Sequence, residues 1–224
     1  LVQVRKKYAC PACEEGVVTA PLPPQPIPKS NASAGLLAHV AINKYQDAQP
    51  LYRQETVLAR HGVEIPRNTL AHWMIKAGQL VQPLLTAFEQ NVMAYPVLHC
   101  DETTVQVLKE PDKPARSQSY MWVRVGGPPT RPVRIFTYAR RRSGDVALDL
   151  LRDYQGFVQT DDYAGYNAAC AQANITQLGC WAHARRKFIE AQKVTRPKTG
   201  KADVAISLIA KLYAVEKQAK GKSA

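Results

Sequence analysis

The sequence predicts an α/β protein: a mixed five-stranded sheet with flanking helices, preceded by a small helical region. Three observations carry this expectation. Apolar residues keep a helical spacing through residues 33–95, then give way to short runs of β-formers from residue 96. The second stretch reads β-β-β-α-β-α-β-α, three closely connected strands followed by helix crossovers. The 224 residues are 46% hydrophobic and 21% charged, a globular balance that excludes a mostly disordered chain.

Residues 1–20 form a short basic segment around Cys10-Pro11-Ala12-Cys13. Pro21, Pro23, Pro24, Pro26 and Pro28 make residues 21–32 read as an extended linker, since proline removes a donor and fixes φ. Within residues 33–95, Leu36, Leu37, Val40 and Ala41 share one helical face. A second helix runs from Pro50 to a stop at Gly62. A third starts near Pro66 and carries Leu70, Trp73, Met74 and Ala77; Gly78 weakens it, and Pro83 can start another. Short helices with tight turns suit a helix-turn-helix DNA reader and a plain helical packing layer equally.

Val97-Leu98-His99-Cys100 is an apolar run ending at Asp101-Glu102, and Thr103 to Leu108 continues extended. Tyr120 to Val125 is a second strand, closed by Gly126-Gly127-Pro128-Pro129, and Val133 to Tyr138 is a third. Ser143 reads as the N-cap of a helix that places Val146, Leu150, Leu151 and Tyr154 on one face and stops at Gly156. Phe157 to Thr160 is the fourth strand, ending at Asp161-Asp162. A short helix over Tyr166 to Ala173, a fifth strand from Thr176 to Cys180 and a basic helix from Trp181 to Lys193 follow. Strands one and four can lie side by side in a sheet with helices on both faces. Residues 96–194 thus form one core, and residues 195–224 begin a further basic helical segment.

Thirty Lys and Arg against 18 Asp and Glu give a net charge of +12. Residues 181–224 hold eleven Lys and Arg against three acids, so a surplus of eight lies near one end. Such a surplus attracts polyanions, nucleic acid first among them. No apolar run nears the roughly 18 residues that span a bilayer, so no membrane partner is expected. The opening Leu1-Val2-Gln3-Val4-Arg5-Lys6-Lys7 lacks the apolar core of a signal peptide. Five cysteines, an odd number without framework spacing, argue for a reducing compartment.

Two acids stand at strand ends, Asp101 and Asp161, and neighbouring strands would bring them to one sheet edge. Carboxylates so placed can hold Mg²⁺ or Mn²⁺ for work on a phosphodiester. Acids also end strands as turn formers, so spacing alone leaves both readings open. Glu102 and Asp162 read as turn or supporting groups. Cys10 and Cys13 have zinc-ligand spacing but supply half of a four-ligand site. Cys180 and His183 are two more candidate ligands, equally readable as a buried thiol and a helix-start imidazole. Arg185, Arg186 and Lys187 fan across the basic helix, as phosphate contacts or as a solvated face.

Six motifs, in order, resemble the insertion-sequence-66 transposases, a bacterial family with a DDE-type, ribonuclease-H-like catalytic domain. Tyr8-Ala9-Cys10-Pro11-Ala12-Cys13 is similar to the closing half of that family's zinc-binding motif. Ile27-Pro28-Lys29-Ser30, Lys44-Tyr45 and Pro50-Leu51-Tyr52-Arg53-Gln54-Glu55 resemble its helical segment. Leu98-His99-Cys100-Asp101-Glu102-Thr103 and Thr160-Asp161-Asp162-Tyr163-Ala164-Gly165-Tyr166-Asn167 resemble its first and second acidic motifs. Gly179-Cys180-Trp181-Ala182-His183-Ala184-Arg185-Arg186-Lys187-Phe188 resembles the signature that follows, and Leu212-Tyr213-Ala214-Val215-Glu216 a helix of its inserted segment.

The resemblance implies metal-binding acids at Asp101 and Asp161, with glycine usual at the position of Asp162. It implies two Mg²⁺ or Mn²⁺ ions, and zinc only with ligands that precede Cys10. It implies DNA partners (element ends and target), a homo-oligomer in a transposition complex, helper proteins of the same element, and a cytoplasmic, nucleoid-associated setting. The family's third acid is a glutamate beyond the inserted segment, matched by neither Glu190 nor Glu216. The chain therefore reads as truncated at both ends: a transposase fragment, or in the rival reading a catalytically inactive remnant that binds DNA or a sister transposase.

Overall fold

The computed structural model describes residues 4–13, 16–21, 23–172, 174–194 and 200–219. Residues 195–199 and 220–224 of the expected basic segment, Ala173 at the end of the expected short helix, and residues 1–3, 14–15 and 22 lie outside the described residues. The chain divides into two compact units, Leu1–Leu85 and Thr86–Ala224.

In the first unit, β1 (Lys7–Ala9) and β2 (Val17–Thr19) pair antiparallel, Lys7 with Thr19, around a turn that holds Cys10 to Cys13. Three helices follow: α1 (Ala34–Tyr45), α2 (Leu51–Arg60) and α3 (Arg67–Leu80). Ser33 caps α1, its hydroxyl accepting from the Leu36 amide at 3.2 Å. Pro50 and Pro66 immediately precede α2 and α3, where a missing N–H costs nothing. The Glu55 carboxylate reaches across to accept from the Arg67 amide at 3.0 Å, capping α3 from its neighbour. Gly78 does not end α3, which runs two residues further. Leu37, Val40, Leu70, Trp73 and Met74 form the core. Ile27 and Ala32 belong to it too, so the proline-rich stretch is not wholly an extended linker. A turn in which the Ser30 amide bonds the Ile27 carbonyl at 3.2 Å folds that stretch back.

Helix α4 (Gln82–Met93) leads into the second unit, whose strands are β3 (Val97–Gln106), β4 (Gln118–Gly126), β5 (Val133–Ala139), β6 (Gly156–Thr160) and β7 (Ile175–Gly179). They order as β5-β4-β3-β6-β7. The first three are antiparallel, and β6 and β7 join parallel. This is the mixed five-stranded sheet that the sequence predicts, with strands one and four adjacent. Helices α5 (Gly144–Leu150), α6 (Asn167–Cys170), α7 (Trp181–Val194) and α8 (Lys201–Ala219) complete the unit.

Leu98, Cys100, Trp122, Ile135 and Val158 meet Val92, Ala147, Leu151, Tyr166 and Ala169 in one core. The sequence predicts helices on both faces, yet the opposite face exposes Phe136, Tyr138 and Phe157. Among the residues of α7 whose burial is described none is buried, so these do not seal it.

Three further boundaries differ from expectation. Strand β3 does not end at Asp101 but runs on to Gln106, because β4 pairs with it throughout, His99 with Val125 to Gln106 with Gln118. Helix α5 ends at Leu150 rather than Tyr154, and the Ser143 side chain makes no cap bond. The Tyr154 hydroxyl instead donates to the Tyr95 carbonyl at 2.9 Å, drawing the chain out of helix before β6. The expected helix from Tyr166 is a 3-10 turn, Ala164–Tyr166, followed by the single turn of α6. Gly156 opens β6 with φ +138°, and a Cβ there would lie 2.6 Å from the Pro96 carbonyl oxygen. Only glycine suits that position.

Candidate active site

Side chains alternate along β3 and β6. Leu98, Cys100, Val158 and Thr160 are buried on the covered face. Burial drives the Cys100 thiol up to about 12, leaving it a neutral packing group. His99 and Gln159 are register partners and bond each other, Nδ1 to Oε1, at 2.6 Å. Two residues further along each strand stand Asp101 and Asp161. Continued beyond its last pair, the offset that matches Val97 with Phe157 would bring Asp101 level with Asp161, which lies one residue beyond the end of β6.

Asp101 is exposed and accepts from the Glu102 amide at 2.9 Å. Asp161 Oδ1 accepts from the Tyr163 amide at 3.0 Å, and Oδ2 lies 3.5 Å from Arg142. Asp162 turns the chain with φ +73°, a conformation glycine adopts freely, so the glycine that the resemblance leads one to expect here has a backbone reason.

Glu102 takes the opposite course from Asp101. Its carboxyl side chain is 1% exposed and bonds the Tyr166 hydroxyl at 2.7 Å and Arg142 at 2.5 Å. Burial, then the bond to Glu102, push the Tyr166 phenol far above its ordinary range, so it remains a donor. The Arg142 guanidinium also stacks 3.7 Å from the Tyr163 ring centroid. Tyr163 and Tyr166 stand within the second acidic motif, but no spacing in the sequence marks Arg142 or its meeting with them. Arg142 sits in a run of three arginines that gives no sign which one turns inward.

A cleft of about 760 Å³ opens beside Asp161. Asp162, Cys180, Trp181, His183, Arg186, Lys187 and Glu190 share its walls, whereas Asp101 and Arg185 do not. Arg186 and Lys187 thus line the same cleft as Asp161, and Arg185 does not. Lys187 shares its charge with Glu190 at 3.6 Å, both exposed.

Asp101 and Asp161 offer hard oxygen donors, the type that Mg²⁺ and Mn²⁺ take. Among the described residues no group of three His, Cys, Asp or Glu side chains gathers around one point, so the donor set is a partial one. The same holds for Cys10 and Cys13, and for Cys180 with His183. No disulfide joins any of the five cysteines. Amides of Ala12 and Cys13 bond the Cys10 sulfur and lower its pKa, favouring the thiolate that binds metals.

Residues 29–224 match the Transposase IS66 family. The chain belongs to that family. Its mixed five-stranded, ribonuclease-H-like sheet agrees with the match. Among curated relatives, it is 30% identical over 99% of its length to the uncharacterized protein y4jD of Sinorhizobium fredii, covering 45% of that protein. It is 32% identical over 100% of its length to the uncharacterized protein y4qI of the same organism, covering 43%. The chain therefore spans less than half the length of these relatives. A chain of the cryo-EM structure of the simian T-cell lymphotropic virus intasome in complex with PP2A regulatory subunit B56 gamma overlaps 50% of this chain and 46% of its own, with TM-score 0.28 and 12% identity. That likeness is too distant to bear on function. No helix among the described residues is long and apolar enough to cross a membrane.

Proposed function

We propose that this chain is the part of a DNA transposase that carries the first two metal-binding acids, and that the reaction is metal-dependent cleavage and strand transfer at the ends of an insertion sequence. One observation carries the reading: β3 and β6 are adjacent and parallel, in register through His99 and Gln159, with Asp101 two residues further along β3 and Asp161 just past the end of β6. When bound there, Mg²⁺ or Mn²⁺ ions would activate the attacking hydroxyl and stabilise the leaving oxygen. The protein's own work is orientation. The Tyr163 amide fixes the Asp161 carboxylate, and the β3–β4 ladder fixes Asp101. Arg186 and Lys187 border the same cleft as Asp161 and receive DNA phosphates. Cys10 and Cys13 supply half of a zinc site, which takes zinc only with the family's further ligands N-terminal to Cys10.

The test uses a longer protein carrying the family's third glutamate, with oligonucleotides of the element ends. Mg²⁺-dependent cleavage is expected, and Asp101→Asn or Asp161→Asn abolishes it. The 224-residue chain is expected to bind DNA without cleaving it. Its DNA affinity falls with salt at a logarithmic slope of about −0.9 per phosphate neutralised. Alanine at Arg185, Arg186 and Lys187 flattens that slope by up to about three phosphates' worth. Cleavage by the 224-residue chain itself, lost in Glu190→Gln, would assign the third acid to Glu190 instead. The rival, a DNA-binding remnant, draws support from the incomplete donor set, and a longer protein that binds element ends but never cuts them would establish it.

A further inference from the structure

Arg142 is placed where a cation would not be expected if Asp161 only awaited a metal. Its guanidinium lies 3.5 Å from Asp161 Oδ2. Yet Asp161 does not hold it there. Nε and Nη2 reach Glu102 Oε1 at 2.6 and 2.5 Å. Glu102 in turn is sealed from solvent and fixed by the Tyr166 hydroxyl at 2.7 Å. The Tyr163 ring covers the guanidinium at 3.7 Å, and the Tyr163 hydroxyl donates to the Arg142 carbonyl at 2.8 Å. Glu102, Tyr163 and Tyr166 thus anchor the arginine, and the contact with Asp161 is the long, loose one of the set.

We propose that Arg142 is a positioning residue: a resident counter-cation that orients the Asp161 carboxylate in the metal-free protein and competes with a divalent cation for it. This rests on the reading of Asp161 as a metal ligand. A divalent ion at Asp161 draws Oδ2 away from Arg142, while Glu102 keeps the arginine from following. The arginine therefore weakens metal binding by repulsion, and Glu102 limits that weakening by holding the charge back. At separations of a few ångströms in a half-exposed site, one unit charge against a dication changes affinity by roughly tenfold.

The experiment is a Mn²⁺ titration of the 224-residue chain, followed by the electron paramagnetic resonance signal of free Mn²⁺. Glu102→Gln alone keeps the bond to Tyr166 but releases Arg142 toward Asp161, and Mn²⁺ binding weakens several-fold. The double variant Glu102→Gln with Arg142→Gln leaves net charge unchanged and no buried charge unpaired; because the more distant Glu102 carboxylate is lost with the nearer guanidinium, binding tightens over the parent by less than the roughly tenfold effect of a single charge. Arg142→Lys, which keeps the cation, stays near the parent. A double variant that binds Mn²⁺ no more tightly than the parent, while Asp161→Asn still abolishes binding, overturns the role of Arg142 and leaves the site standing. Mn²⁺ binding indifferent to both Asp101→Asn and Asp161→Asn removes the site itself, and the competition with it.

Discussion

Asp101 and Glu102 are adjacent in sequence, and the strand sends them to different surroundings. Asp101 faces the same side as His99 and remains exposed; Glu102 enters the covered side and is sealed between Tyr166 and Arg142. The comparison extends to the two faces of the sheet. One is closed by Trp122, Leu151, Tyr166 and Val158; the other exposes Phe136, Tyr138 and Phe157. The same alternation of the pleat produces a rigid foundation and an accessible carboxylate within one strand. A site built this way keeps its reactive groups in solvent and spends its fixed hydrogen bonds on the groups behind them.

The widest contrast should appear in packing. Trp122→Ala on the closed face should cost about 3–5 kcal/mol, whereas Phe136→Ala on the open face should cost about 0.5 kcal/mol or less. Chemical denaturation followed by circular dichroism measures both, and equal losses would show that the open face is packed in solution. The acid pair sharpens the contrast. Glu102→Ala leaves Arg142 without its main partner; that arginine is about one-third exposed, so the expected loss is about 2 kcal/mol rather than the full cost of a broken buried pair. Asp101→Ala should change stability by less than about 0.5 kcal/mol. A Glu102→Ala protein as stable as Asp101→Ala would erase the distinction drawn between the two acids.

Gly156→Ala should cost about 1–3 kcal/mol, because the φ of +138° and the Pro96 carbonyl both oppose a Cβ. Gly78→Ala, in open space within α3, should be neutral or slightly stabilising. The smallest effect concerns acid. Bonds from Ser119 and Tyr138 lower the Glu110 carboxyl from its ordinary 4.5 to about 2. A depressed folded-state pKa adds stability above the unfolded value that is lost as pH falls through the folded one. Stability should therefore decline between pH 4.5 and about 2, and Glu110→Gln should flatten that decline. An unaltered acid limb in Glu110→Gln would assign the decline to other carboxyls.

The order of elements along the chain, the adjacency of strands one and four and the family were legible in the sequence because they depend on local periodicity and on motifs of several residues. The β3 boundary was not. Asp101-Glu102 reads as a turn by composition, and only the β4 ladder, closing from a distance in sequence, keeps the strand extended. Ile27 was hidden for a similar reason: prolines signal extension, and the burial of one apolar residue among them depends on helices that follow. The Arg142 anchor was the least legible part of the site. It joins groups from β3, the loop before α5 and the turn after β6, and no spacing within any one of these segments announces the meeting. Arg185 shows the converse, since the sequence marks it with Arg186 and Lys187 while the helix turns it off the cleft.

Whether Asp101 and Asp161 share one divalent-cation site is open to a direct measurement. Ferrous ion bound in place of magnesium, with ascorbate and peroxide, cuts the polypeptide beside the ion. Paired cuts are expected close to Asp101 and to Asp161, suppressed by excess Mg²⁺, with both cuts lost in Asp101→Asn and both lost in Asp161→Asn. Cuts near only one of the two acids, or cuts that survive either substitution, would contradict a shared site.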